Sequence, residues 1–159
     1  MVISFICSTL ESVLMTTTLS YINLRESEGY APAKRMKLYK TEPERPLAAI
    51  LSLNTIANTV GAAGVGQQAN IIFGSEWFGL VSAVITLLIL IFSEIVPKTF
   101  GTTYWKNLMG ITAGTIRVLI IIMYPFVKLI EWISHIFPEN DEAAVSREEV
   151  LAMANVGEE

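Results

Sequence analysis

The stretch that decides the fold reads Ser93-Glu94-Ile95-Val96-Pro97-Lys98-Thr99. It follows residues 77–93, which contain no charged side chain. A carboxylate beside such an apolar run is costly if lipid surrounds it. Pro97, a few residues later, lacks a backbone N–H and opens a turn of helix. The stretch therefore predicts a polar site inside a membrane, where a charge and freed carbonyl groups face a cation.

The composition also indicates a membrane protein. Of 159 residues, 52% are hydrophobic and only 16% are charged, whereas a soluble domain carries about 25% charged residues. The net charge of -4 hides a strong segregation, because seven acidic residues and one base, Arg147, lie within residues 138–159. The single cysteine, Cys7, excludes an internal disulfide bond. We expect an all-α membrane protein of one domain that forms part of a longer protein.

Three apolar segments predict transmembrane helices over about 2–22, 47–73 and 77–99, each close to the roughly 20 residues that a bilayer requires. The connector between the first two segments carries six basic residues and a predicted helix over about 30–42. Short loops rich in Lys and Arg stay in the cytoplasm. We therefore expect a multi-pass protein of the cell membrane with its N-terminus outside and its C-terminus cytoplasmic.

Two further segments follow the third helix. Residues 103–137 are predicted to form amphipathic juxtamembrane helices in the inner interface, hinged at Pro125. A fourth spanning helix is the alternative, but Arg117 interrupts the apolar run and a fourth span would place the acidic tail outside. Residues 138–159 are predicted to begin an acidic cytosolic helical bundle, because a capping box at 146–149 precedes an apolar pair.

Polar side chains recur on all three predicted membrane helices. Residues three or four apart share a helix face, and serine, asparagine and glutamate supply only oxygen ligands, which suit Mg²⁺, Ca²⁺ or Na⁺. The candidate metal ligands are Ser8, Glu11, Asn54, Asn58, Ser93 and Glu94.

These candidates also have purely structural interpretations. Serine hydroxyls in membrane helices often bond their own backbone, and Asn54 and Asn58 can join helices by hydrogen bonds. Lys98 could neutralise Glu94 from the next turn of the helix. Gly61 and Gly64 are predicted to allow close helix packing, and His135 is expected at the surface. No catalytic constellation or nucleotide-binding loop is present in the sequence, so we expect neither an enzyme nor a nucleic-acid partner.

The sequence resembles the CorC/cyclin M (CNNM) magnesium transporters. Residues 94–99, Glu-Ile-Val-Pro-Lys-Thr, are similar to the family's Gly-Glu-(hydrophobic)-x-Pro-Lys-(Thr/Ser) motif, with Ser93 in place of the glycine. Residues 7–13 resemble its Phe-Ser-Gly-Ser-Glu-Thr-Ala run, and residues 53–58 its Gly-Asn-Asn-x-x-Asn pattern. Leu10, Leu53 and Thr55 also depart from these patterns. The residues that remain in place are Ser8, Glu11, Asn54, Asn58 and Glu94.

The resemblance implies three transmembrane helices, a juxtamembrane helical belt and a homodimer in the lipid membrane. It also implies a Mg²⁺ site formed by Ser, Asn and Glu oxygens, and cytosolic CBS domains downstream. We expect Mg²⁺ export, with Na⁺ as a candidate coupling ion, and with Pro97 and Lys98 at the gate. The alternatives are a non-transporting module that anchors and dimerises a cytosolic Mg²⁺ sensor, and an antiporter for Na⁺ or Ca²⁺.

Overall fold

The computed structural model describes residues 1–136, except for the side chains of residues 75–76 and 134–136. In this part the chain is helical apart from short breaks between helices. Two segments, Glu44–Gly74 and Trp77–Ile122, are long and apolar enough to cross a membrane, and a bent pair of helices at the N-terminus could supply a third span. The predicted all-α membrane class is confirmed. The acidic segment 138–159 and the side chain of His135 lie outside the described residues. The elements are α1 (Val2–Thr16), α2 (Leu19–Ser27), α3 (Ala31–Thr41), α4 (Glu44–Leu90), a π turn (Ile91–Ile95), α5 (Val96–Ile122) and α6 (Tyr124–Ile136).

The first predicted helix, 2–22, is broken in the structure. Helix α1 ends at Thr16, Thr17 has an extended backbone (φ -62°, ψ 125°), and α2 leaves at an angle of 86°. Threonine hydroxyls compete for backbone partners: Thr17 Oγ1 donates to Val13 O at 2.6 Å, and Thr18 caps the N-terminus of α2. A single helix over 2–22 was the wrong prediction, because the run of three threonines ends one helix and starts another.

Helix α3 belongs to the basic connector and closes the end of α1. Gly29, with φ 80°, makes the turn into it. Lys40 Nζ donates to Leu14 O at 3.1 Å and to Met15 O at 2.6 Å, two carbonyl groups in the last turn of α1. A cation at a helix C-terminus is favourable, although burial lowers the pKa of Lys40.

Helix α4 folds back on itself. Its first arm, Glu44–Gly74, stops where Gly74 takes φ 74° and ψ 174°, a conformation that glycine adopts without a side-chain clash. The second arm begins at Trp77 and runs back beside the first, because Asn58 reaches Glu94 and a Cβ on Gly66 would touch Phe78.

The second arm of α4, the π turn and α5 form one helical rod, Trp77–Ile122. The prediction that Pro97 unwinds the end of the third helix was wrong, because the chain stays helical to Ile122. That the membrane-spanning part ends near residue 99 stays a prediction. The chain stays helical because the wider π turn accommodates the proline, whose ring would clash with a carbonyl one turn back. The rod instead bends at Tyr104 (φ -106°, ψ 18°), near the start of the predicted belt at 103, whose position in the interface stays a prediction.

Helix α1 lies at the centre of the packing and contacts α5 and α4 most extensively. Ser4, Ser8 and Ser12 follow one another at four-residue spacing and are all buried. Their small side chains allow α5 to approach closely at Gly101, where an added Cβ would lie 2.8 Å from Thr9 O and would also collide with Ser12 Oγ. The polar face of α1 therefore points into the protein and not toward lipid.

Candidate functional site

The site is built around the π turn that carries Ser93 and Glu94. A π turn takes backbone groups out of the regular helical register and is often found at functional sites. In an α-helix the N–H of residue 97 would donate to the carbonyl of Ser93, but Pro97 has no N–H. The sequence thereby leaves the Ser93 carbonyl available to a donor from another helix.

That donor comes from α1. Ser8 Oγ donates to Ser93 O at 2.8 Å, and both residues are 0% exposed. The hydroxyl group of Ser93 is itself buried and has no hydrogen-bond partner within residues 1–136. The contact brings two predicted ligands together and leaves one unused oxygen beside them, at a place where an unpaired polar group is costly.

The first arm of α4 presents Asn54 and Asn58 one helical turn apart. Asn54 Oδ1 accepts a hydrogen bond from Ser4 Oγ at 2.6 Å. Asn58 Nδ2 lies 3.4 Å from Glu94 Oε1. The amide of Asn58 thus joins the first arm of α4 to the carboxylate on the π turn, and two of the predicted ligands lie next to each other.

Ser4 is a contact residue that the sequence reasoning did not select. It lies four residues before Ser8 and therefore on the same face of α1. The regular spacing of Ser4, Ser8 and Ser12 was the available signal. Ser4 places a third hydroxyl group at the junction of α1 and α4.

Glu11 and Lys98 form the remaining contact, one turn beyond Ser8 and Glu94. Lys98 Nζ lies 3.5 Å from Glu11 Oε2. Among the described side chains Lys98 has no ion pair with Glu94, so the interpretation in which Lys98 neutralises Glu94 is not what the structure shows. The lysine extends from α5 toward α1, whereas Glu94 faces the first arm of α4.

The site therefore contains two carboxylates, one ammonium group and several neutral oxygens from α1, α4 and the π turn. No cluster of three or more His, Cys, Asp or Glu side chains suited to a metal occurs among the described residues. This donor set does not fit a soft transition metal, which prefers thiolate or imidazole ligands. It fits a hard cation bound by a carboxylate and neutral oxygens.

Gly61 and Gly64 do not pack closely against another helix of the described chain. A Cβ added at either position would meet nothing within 4 Å. The predicted packing role is therefore not fulfilled within one chain, because the facing arm of α4 leaves a cavity beside Gly61. The tight helix crossing lies at Gly101 instead.

Comparison with known proteins agrees with this arrangement of motifs. The family model described as the cyclin M transmembrane N-terminal domain (CNNM) matches residues 1–159. The chain belongs to the CNNM family. The resemblance drawn from residues 94–99 is thus confirmed.

Several curated proteins are similar to this CNNM domain. A UPF0053 protein of Synechocystis sp. is 32% identical over 155 residues, which cover 97% of this chain and 45% of that protein. A UPF0053 inner membrane protein of Escherichia coli is 25% identical, over 78% of this chain and 29% of that protein. A chloroplastic DUF21 domain-containing protein of Arabidopsis thaliana is 27% identical, over 74% of this chain and 18% of that protein.

The chain spans less than half the length of each of these relatives. No solved structure matches it. The relatives therefore place the chain in its family.

Proposed function

We propose that this CNNM domain moves Mg²⁺ across the membrane through the site at the π turn. The observation that carries the proposal is the position of Glu94, a half-buried carboxylate on a π turn. Its Oε1 lies 3.4 Å from the amide nitrogen of Asn58 on α4, and the carbonyl of the preceding residue, Ser93, accepts a hydrogen bond from Ser8 on α1. An ionisable group placed in an apolar rod of this length is expensive without a function.

Each residue has a role in the proposal. Glu94 supplies the main negative charge, and Ser8, Asn54 and Ser93 supply neutral oxygens. Mg²⁺ gives up its water reluctantly, so several oxygens must be held in place before it arrives. The hydrogen bonds from Ser8 to the π turn and from Ser4 to Asn54 keep those oxygens fixed.

Asn58 and Glu11 are proposed to act around this first set of ligands or at a site for a coupling ion. The charges of Glu11, Glu94 and Lys98 sum to -1, which one monovalent cation neutralises. This balance supports Na⁺ as the coupling ion in an exchange with exported Mg²⁺. It also favours Na⁺ as the cargo of the second candidate function, an antiporter for Na⁺ or Ca²⁺.

The CNNM relationship supports a proposal for the cellular setting. We propose a homodimer in the cell membrane, with the basic connector and the C-terminus in the cytoplasm and with CBS domains following this domain. The faces of Gly61 and Gly64 that meet no neighbour are suitable for a second copy, since small residues let helices approach.

The test is Mg²⁺ flux in proteoliposomes that contain the full-length protein. Glu94→Gln is expected to abolish flux, because it removes the charge and keeps the shape. Glu28→Gln is the matched control, since Glu28 makes an exposed ion pair with Arg25 at the end of α2. Wild-type flux in Glu94→Gln would remove Glu94 from the site, and absence of flux from the wild type would favour the anchor module.

Thermal stabilisation of the purified protein by different ions separates the two transport functions. An ion that binds only the folded state raises the free energy of unfolding, by about 2.7 kcal/mol at 100 times its dissociation constant. The unfolding temperature rises with it. Stabilisation by Mg²⁺ but not by Ca²⁺ supports Mg²⁺ as the cargo. Stabilisation by Ca²⁺ alone would assign the site to another antiporter.

A further inference from the structure

Two arginines lie at the edge of the contact between α3 and α5. The two helices pack against each other, and Met36 on α3 and Ile116 on α5 are buried in the common core. Arg35 directly precedes Met36, Arg117 directly follows Ile116, and both arginine side chains are exposed. Neither arginine belongs to the site at the π turn.

The phenol of Tyr39 shows that the two guanidinium groups lie near each other. Tyr39 is four residues after Arg35, so the two share a face of α3, and its side chain is buried. Burial raises the pKa of Tyr39, and the positive charges of Arg35 and Arg117 both oppose this rise. Because only nearby charges have this effect, one arginine from each helix lies close to the same hydroxyl group.

The charges of these two arginines are not compensated within the described part of the chain. Five other basic residues pair there with a glutamate, whereas no described carboxylate pairs with Arg35 or Arg117. Two cations near each other repel, and an anion held by both relieves that repulsion. A guanidinium group presents its N–H donors as a planar fork that matches the oxygens of a phosphate group. The pair therefore fits a phosphate.

The surface around the two arginines is apolar. Ile121, one turn after Arg117, and Leu38, three residues after Arg35, are both exposed, and this spacing places each on the face of its arginine. A Cβ added at Gly114, one turn before Arg117, would meet nothing within 4 Å, so there is open space beside the charge. A ligand that has both an anionic head and hydrocarbon chains fits these features together.

We propose that Arg35, Arg117 and the hydroxyl group of Tyr39 bind the headgroup phosphate of an acidic phospholipid, with its acyl chains against Leu38 and Ile121. Acidic phospholipids give the cytoplasmic leaflet its negative potential and attract basic segments next to the membrane, and the basic connector is predicted on that side. A zwitterionic headgroup would bring a further cation to the two arginines, so the site selects a lipid of net negative charge. The proposal does not depend on which ion binds at the π turn.

The test is the thermal stabilisation of the full-length protein in detergent by added phosphatidylglycerol, phosphatidylcholine or glycerol phosphate. Dissociation constants are obtained from the shift of the unfolding temperature with ligand concentration. The test variant combines Arg35→Gln with Arg117→Gln. The matched control combines Lys34→Gln with Lys106→Gln, which removes the same charge from exposed positions of the same two helices.

The wild type is expected to bind phosphatidylglycerol in preference to both other ligands. Loss of the two arginines should raise its dissociation constant at least about tenfold, as expected for the loss of charged hydrogen bonds. The control pair should change it less than about twofold, because exposed charges act weakly. Tyr39→Phe keeps the ring in the core and should weaken binding about threefold. Unfolding temperatures without lipid verify that each variant is folded.

Four results would overturn the site. Equal weakening in the arginine and lysine variants would mean that surface charge alone attracts the lipid. Equal stabilisation by phosphatidylcholine would remove the selection for an acidic headgroup. Equal stabilisation by glycerol phosphate would assign the arginines to a soluble phosphate ester. Binding that appears only after Glu139→Gln and Glu142→Gln would assign them to the acidic segment of this chain.

Discussion

Lys98 Nζ lies 3.5 Å from Glu11 Oε2, one helical turn from Glu94 on the same rod. The lysine thus ties α1 to α5 beside the candidate cation site without occupying the carboxylate of that site. Its positive charge still acts on any ion that Glu94 holds, since charges a turn apart interact through the protein. Lys98 therefore biases the site toward ions of lower charge.

Lys98→Met is expected to favour Mg²⁺ over Na⁺. The Lys98 side chain is about half exposed, so the screened repulsion from its ammonium group is on the order of 1 kcal/mol for each unit of ion charge. Removing it should raise the affinity for Mg²⁺ roughly fivefold more than that for Na⁺. Thermal-shift titration of the purified protein with each ion measures the ratio.

Lys34→Met is the control for this experiment, because Lys34 is exposed on α3. An unchanged ratio of Mg²⁺ to Na⁺ affinity in Lys98→Met would show that the lysine serves only to hold α1 against α5. A lower unfolding temperature without a change in that ratio would indicate the same structural role.

Pro97→Ala restores the backbone N–H that would donate to the carbonyl of Ser93 in a regular α-helix. We expect the π turn to become more regular and the hydrogen bond from Ser8 to weaken. Mg²⁺ affinity should fall about tenfold, the effect of losing roughly 1.4 kcal/mol, while the free energy of unfolding stays the same or rises. Circular dichroism and Mg²⁺ titration follow the two quantities, and unchanged Mg²⁺ affinity would contradict the role of this proline.

Gly101→Ala should destabilise the domain by roughly 1–3 kcal/mol, as overpacking does. Its new methyl group would lie 2.8 Å from Thr9 O and would meet Ser12 Oγ. Gly114→Ala on the same helix meets nothing within 4 Å and should be neutral or stabilising. Thermal unfolding in detergent compares the two, and equal unfolding temperatures would contradict the close crossing of α1 and α5.

Lys40→Met removes the donor that closes the C-terminus of α1. A hydrogen bond from a charged group contributes about 1.5–3 kcal/mol, and the free energy of unfolding is expected to fall by up to this amount. The loss is smaller where water replaces Lys40 as the hydrogen-bond donor to the carbonyls of Leu14 and Met15. Lys40→Arg should retain most of the stability, because a cation remains near the helix end. Hydrogen exchange at the end of α1 gives the local readout, and exchange as slow as in the wild type would exclude the capping role.

The sequence allowed the pairing of the candidate residues to be anticipated only in part. Spacing placed Asn54 with Asn58 on one face of a helix, and the isolated carboxylate made Glu94 conspicuous. The partner of Lys98 could not be predicted: spacing within the helix indicated Glu94, four residues earlier, whereas the structure pairs Lys98 with Glu11 on another helix. Only the packing of α1 against α5 decides between them.

The helix boundaries show a similar division. The reversal at Gly74 was signalled by glycine between two apolar runs, whereas the break at Thr17 was not anticipated. Threonine is tolerated inside a membrane helix and also favoured at a helix start. Tertiary contacts, including the contact of Lys40 with the end of α1, favour the second outcome here.

The shortness of α1 limits how the N-terminal segment can cross a bilayer. Fifteen residues rise about 22 Å, less than the roughly 30 Å of bilayer hydrocarbon. Beyond Thr17 the chain turns by 86°, so α1 by itself does not reach across the hydrocarbon layer. The rest of any crossing by this segment has to be made by the bent pair of α1 and α2.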